Sequence, residues 1–196
     1  MKVDNIELDD DNVEFNYAAD FVGHTDKIVY LTGKAGTGKT TFLKYLREST
    51  TKNTVILAPT GVAAINAGGQ TIHSFFQLPF GPFVPNDKRL RTNVDDNDET
   101  TIYGTFRFRK DKRTIIKKLE LLIIDEVSMV RCDTLDVIDK VLRVFREKPY
   151  LPFGGVQVIL IGDTFQLPPI VENEQWEILK HYYSSPFFFS SRVVNE

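Results

Sequence analysis

Four short apolar runs punctuate the chain, and residues with a different rhythm follow each. "KIVYL" (27–31), "TVILA" (54–58), "LLIID" (121–125) and "VQVIL" (156–160) are continuous rather than alternating. That pattern marks strands covered on both faces in a parallel sheet. After the first run a glycine-rich turn leads into a helix through Arg47. After the second, Pro59 precedes a small-residue helix that Gly68 and Gly69 terminate. After the third, a helix begins near Asp133 and turns Leu135, Ile138, Val141, Leu142 and Phe145 inward. A leading helix spans Asn12 to Val22, with Asn12 as its cap and Val13, Tyr17, Ala18, Phe21 and Val22 at helical spacing. "PFFFSS" (186–191) is a candidate fifth strand. Strands alternating with helices predict an α/β fold with a mainly parallel sheet.

The length of 196 residues gives room for one domain, read as 12–196 after a flexible acidic N-terminus at 1–11. Between Phe76 and Gly104 the periodicity lapses, and Pro79, Pro82, Pro85 and the acidic run Asp95 to Glu99 mark an excursion over 77–112. Loops of that length are commonly functional or disordered. A net charge of −3 argues against a protein that coats nucleic acid through bulk positive charge, so any such contact is local. Arg107, Arg109, Lys110, Lys112, Arg113, Lys117 and Lys118 form one basic cluster, whose ordinary reading is a solvated helix face. The single cysteine, Cys132, excludes an intrachain disulfide and a cysteine zinc cluster. No window approaches a membrane span and the N-terminus has no apolar signal core, so the expectation is a cytoplasmic protein without a membrane partner.

The chemistry sits at the ends of the strands. Gly33, four intervening residues, then Gly38, Lys39 and Thr40 match the phosphate-loop pattern between a strand and a helix. Such glycines let successive N–H groups turn inward around a β-phosphate, and the helix N-terminus adds its positive end. The set expected to cradle a nucleotide is Gly33, Ala35, Gly36, Thr37, Gly38, Lys39, Thr40 and Thr41, with Lys39 bridging phosphates and the Thr40 hydroxyl on magnesium. Asp125 and Glu126 close the third strand: the first is placed to hold Mg2+, the second to orient or deprotonate the attacking water. In "LIGDTFQLPP" (160–169), Asp163 and Gln166 reach the same edge.

Taken in order, "GKAGTGKT" (33–40), "APTGVAAINAGGQTIHSFF" (58–76), "LLIIDEVSMV" (121–130) and "GDTFQLPP" (162–169) closely resemble motifs I, Ia, II and III of the PIF-one family of superfamily one DNA helicases, in particular its bacterial members. The likeness runs from about Asn12 to Arg192. It implies a RecA-like, three-layer motor domain, the first of two, that hydrolyses ATP and moves five-prime to three-prime along single-stranded DNA. It carries the phosphate role onto Gly36, Gly38 and Lys39, the magnesium role onto Thr40 and Asp125, and the water-activating role onto Glu126. Gln166 takes the γ-phosphate sensor role. Thr60, Gly61, His73, Ser74 and Phe75 match positions that face single-stranded DNA, with an aromatic face to accept a base. The excursion matches the place of a wedge or pin near the duplex fork.

Where the family carries a glutamine that reads adenine, this chain has Asn16, a shorter amide. The second RecA-like domain and its arginines lie beyond Glu196, so the resemblance implies a fragment that binds nucleotide weakly, hydrolyses it slowly and unwinds nothing alone. Two rival readings are a phosphate-loop ATPase that acts on protein partners and a nucleotide-dependent switch module without turnover. Cys132, Trp176 and Phe187 to Phe189 read as packing residues.

Overall fold

The computed structural model describes residues 12–93 and 100–196; the acidic N-terminus at 1–11 and the acidic run at 95–99 lie outside them. Five strands form one parallel sheet in the order β1 (Val29–Thr32), β5 (Gln157–Gly162), β4 (Leu121–Ile124), β2 (Thr54–Ala58), β3 (Gln70–Thr71). Val29 pairs with Ile159, Leu121 with Gln157, and Thr54 with Leu121, so the four main strands end together at one carboxyl edge.

Because successive strand side chains point to opposite faces, the apolar runs feed two cores at once. Leu121, Ile123, Ile159 and Ile161 meet α1 (Val13–His24) and α2 (Lys39–Ser49) on one face. Leu122, Ile124, Val158 and Leu160 meet α4 (Ile72–Phe76) and α7 (Cys132–Phe145) on the other. The result is the α/β fold with a parallel sheet that the strand pattern predicts, in the three layers that the resemblance implies. On α7 the five predicted inward residues, Leu135 to Phe145, are all buried, and each buried aliphatic of this size contributes about 1.5–3 kcal/mol.

Three expectations need correction. "PFFFSS" is not a strand: Phe188–Ser190 is a single 3-10 turn, with an isolated bridge from Phe187 to Arg131. Phe188 is driven into the core beside the Tyr30 ring, at 5.1 Å between centroids, while Phe187 and Phe189 stack on each other outside it. The fifth strand is instead the two-residue β3, which follows α3 (Gly61–Ala67). Gly68 ends that helix in the left-handed conformation, and a Cβ on Gly69 would lie 2.2 Å from the Ile56 carbonyl oxygen, so only glycine lets the chain return so close to β2.

The leading helix forms and Asn12 caps it by accepting from Phe15 N–H at 3.1 Å, but its inward face differs from the expected one. Phe15, Ala18, Ala19 and Val22 pack inward, and Phe15 sets its ring edge-on to Phe42 and Tyr45 of α2. Val13, Tyr17 and Phe21 are exposed. The excursion is also less open than its prolines suggest. Leu78, Phe83, Leu90, Ile102, Phe106 and Phe108 are buried in the larger core, and α5 (Ile102–Thr105) and α6 (Lys110–Lys118) bring the chain back to β4.

Candidate functional site

The turn between β1 and α2 has the form a phosphate needs. Gly36 and Gly38 hold φ of 81° and 89°, which side chains resist, and a Cβ on Gly33 would lie 2.5 Å from Thr37 Oγ1. Thr37 donates from both its N–H (3.3 Å) and its hydroxyl (2.9 Å) to Lys34 O, which fixes the curl. Gly38 caps α2 without a side chain, so the first-turn N–H groups stay open to an anion at the loop mouth. Ala35, Gly36, Thr37, Thr40 and Thr41 are exposed around that mouth. Lys39 lies across the loop and donates from Nζ to Gly33 O (2.5 Å) and Lys34 O (2.9 Å).

At the end of β4, Asp125 N–H donates to Leu57 O at 2.8 Å, and its Oδ1 accepts from Glu126 N–H at 3.0 Å. Burial pushes the Asp125 carboxyl above the ordinary range, against the Glu126 N–H bond and the Lys39 charge. Glu126 occupies the left-handed region (φ 51°, ψ 42°), a strain of about 1–3 kcal/mol that well-packed surroundings must hold. Gly162 helps to hold it, since a Cβ there would come within 3.0 Å of Val127 N. Among the described residues the Glu126 side chain accepts no hydrogen bond and makes no ion pair. Burial first, then the charges of Asp125 and Asp163, raise its pKa against Lys39.

Past β5, Asp163 Oδ1 accepts from Phe165 N–H and Oδ2 from the Gln166 side-chain amide, both at 3.0 Å. Those two bonds hold the Asp163 carboxyl below its usual range, the Gln166 bond most. A carboxylate only accepts, so the Gln166 nitrogen faces Asp163 and its carbonyl oxygen turns away.

Thr40, Thr60, Asp125, Glu126, Met129 and Gln166 line one cleft of about 300 Å3. Residues from all four sequence motifs therefore converge. Asn16 does not line this cleft; it sits half-buried on α1, next to the Phe15 ring that packs on α2. Among the described residues no group of three or more His, Cys, Asp or Glu is arranged to hold a metal ion. A hydroxyl and a carboxylate together on the cleft wall, Thr40 and Asp125, still fit Mg2+, which takes hard oxygen ligands and relies on substrate phosphates and water for the rest.

The second motif has a divided fate. Thr60 Oγ1 accepts from Ala63 N–H at 3.2 Å and so caps α3, while Gly61 is exposed at its start. His73 and Ser74 are exposed on α4. Phe75 is not: it is 1% exposed, edge-on to Phe76, with Lys112 Nζ 3.7 Å from its ring centroid. The exposed ring beside it is that of Phe80, which is 93% exposed and stacks on the His73 ring at 6.1 Å. The Leu78-Pro79-Phe80-Gly81 turn was its only sequence signal, an apolar residue between two turn formers. Partial burial first, then the Arg131 charge, lower the His73 pKa against Asp133. The pair stands over a groove of about 410 Å3 that shares Thr60 and Met129 with the cleft. Arg131 walls the groove, tied to Asp133, Gln175 and Gly81 O.

The profile of the PIF1-like helicase family matches residues 11–185. The chain belongs to that family. It is 38% identical over 150 residues to ATP-dependent DNA helicase Pif1 of Bdellovibrio bacteriovorus, covering 75% of this chain and 30% of that protein. It is 36% identical over 149 residues to ATP-dependent DNA helicase PIF6 of Trypanosoma brucei brucei, covering 74% of this chain and 17% of that one. Its fold superposes on Bacteroides sp Pif1 in complex with ADP-AlF4 with a TM-score of 0.80 at 47% identity, over 92% of this chain and 38% of that one. Bacteroides Pif1 bound to ssDNA gives 0.79 at 47% identity. The chain thus spans well under half the length of the relatives it matches. No helix among the described residues is long and apolar enough to cross a membrane.

Proposed function

We propose that this chain is the ATP-hydrolysing motor unit of a DNA helicase that translocates five-prime to three-prime on single-stranded DNA. The observation that carries the reading is the joint lining of one cleft by Thr40, Asp125, Glu126 and Gln166 beside an open phosphate loop. ATP enters with its phosphates against the loop N–H groups, and Lys39 exchanges its bonds to Gly33 O and Lys34 O for phosphate oxygens. Thr40 and Asp125 would hold Mg2+, which would supply neutralisation of phosphate charge. Glu126, which meets no donor among the described residues, takes one proton from the attacking water as the water oxygen bonds to the γ-phosphorus and the bond to the departing ADP oxygen breaks, while the outward Gln166 carbonyl accepts a hydrogen bond from the other water O–H. The relatives named ATP-dependent DNA helicases, and the Bacteroides structures with ADP-AlF4 and with ssDNA, support the same assignment.

On the DNA side, His73, Ser74, Thr60 and Gly61 meet the strand, and Phe80 rather than Phe75 offers the stacking face. Val62, Ile65, Phe165 and Leu167, all exposed around the cleft, form the apolar surface on which we place a second motor domain. The experiment is ATP turnover with and without a single-stranded oligonucleotide, in the chain and in a longer protein that carries it. Stimulation by the strand is expected in the longer protein; equal turnover in both conditions removes the helicase assignment. Lys39→Ala should weaken nucleotide binding, whereas Glu126→Gln should spare binding and stop turnover.

A further inference from the structure

We infer that the exposed face of α6 is a second nucleic-acid contact that grips the backbone of duplex DNA beside the single-strand groove. The inference rests on the DNA reading above.

Lys110, Arg113 and Lys117 recur at i, i+3 and i+7, which puts them in one stripe on the exposed side of the helix, with Lys118 beside it. The stripe rises about 10 Å along the axis. The opposite side is anchored: Ile116 is fully buried in the core. Lys110 and Lys118 make no ion pair among the described residues, and the exposed Lys117–Glu147 pair at 2.7 Å is of the kind a phosphate readily displaces. Arg113 is held in place by donating to Phe108 O at 3.1 Å.

The place of α6 matters as much as its charge. Lys112, on the inner side of the helix, sits over the Phe75 ring of α4, and α4 carries His73 and Ser74. α4 therefore stands between the groove and the inner side of α6, and the stripe runs away from the groove, from Lys110 to Lys117, which pairs with Glu147 past the far end of α7. The two surfaces have opposite chemistry. The groove offers the stacked rings of His73 and Phe80, which suit unstacked bases. No aromatic residue occurs in α6, and the ring under Arg113, Phe145 at 5.7 Å, is buried, so the stripe offers no ring to a base and suits a phosphate backbone whose bases are already paired. A strand leaving the groove past α4 meets this stripe where it rejoins its complement.

The test is the affinity of the chain for a single-stranded oligonucleotide and for a fork with one duplex arm, measured by fluorescence anisotropy across a salt series. The double variant Lys110→Gln, Lys117→Gln is compared with Lys27→Gln, Lys44→Gln, which removes equal charge elsewhere. The wild type should prefer the fork. The α6 variant should lose most of that preference, about 3- to 10-fold, and keep its single-strand affinity. Its fork salt slope should be smaller by about 0.9 for each phosphate it no longer neutralises. The control pair should leave both affinities within about 2-fold. An unchanged fork preference in the α6 variant, an equal loss on both substrates, or the same loss in the control overturns the stripe while leaving the motor assignment standing. A wild type that binds neither substrate overturns the stripe, while the turnover experiment on the longer protein decides the motor assignment separately.

Discussion

Two rows of carboxylates lie on the two sides of the β4 turn, and they are built to opposite ends. On α7, Asp133, Asp136 and Asp139 recur every third residue and are saturated by donors. Asp133 accepts from Phe83 N–H and Arg131, Asp136 from Tyr183 OH and the N–H groups of Arg192 and Val193, and Asp139 from Phe153 N–H and Arg143. They fasten the excursion, the Pro152–Gly155 turn and the final segment to one helix. In the cleft, Asp125 accepts one local N–H and Glu126 accepts none among the described residues. Burial and charge alone do not set the two rows apart. Unused acceptor capacity does, and the role proposed for Glu126 depends on it.

The contrast breaks if the two rows respond alike. The largest effect is expected from Glu126→Gln, which should lower ATP turnover by about 10²- to 10⁴-fold, the usual share of a positioned base. The same change should raise the melting temperature near neutral pH. Because the folded-state pKa of Glu126 lies above its ordinary value, the charge opposes folding at neutral pH, and that penalty fades as pH falls through the raised pKa. The gain of the Gln variant should therefore shrink in acid; a loss of stability at neutral pH contradicts the argument. The acid limb of wild-type turnover should correspondingly lie above pH 4.5, the unperturbed glutamate value, in a pH–rate profile.

Asp133→Ala should do the reverse and cost about 3–5 kcal/mol in denaturant unfolding, because it takes the carboxylate from the half-buried Arg131 guanidinium and leaves the Phe83 N–H unpaired. A cost near zero would put the row on the surface in energetic terms. Phe80→Ala should weaken single-strand binding by about 1–3 kcal/mol without changing the unfolding midpoint, and Phe75→Ala should do the opposite. Asn12→Ala should be the smallest, about 1 kcal/mol of stability from removal of the helix cap.

The strands, the phosphate loop and the inward face of α7 were legible because a single rule governs each: continuous apolar runs, glycine spacing and a strong 3.6-residue period. The failures share another cause, namely two arrangements that satisfy the same rule. On α1 the stripes 13–17–21 and 15–18–19–22 both fit a helix, and only the contact of Phe15 with Phe42 and Tyr45 selects the second. Phe75 and Phe80 are equally aromatic, and tertiary packing by Phe76 and Lys112 decides which is covered. The two-residue β3 is too short for any periodicity, and the Phe187–Phe189 run offers no alternation to say which ring turns inward.

Thr60 and Met129 stand with one surface in the phosphate cleft and the other in the aromatic groove. Two ligands separated by a partition one residue thick need no relay through the domain to influence each other. In the proposed motor, whatever factor a nucleotide imposes on the grip of the strand, the strand must return in equal measure to the nucleotide.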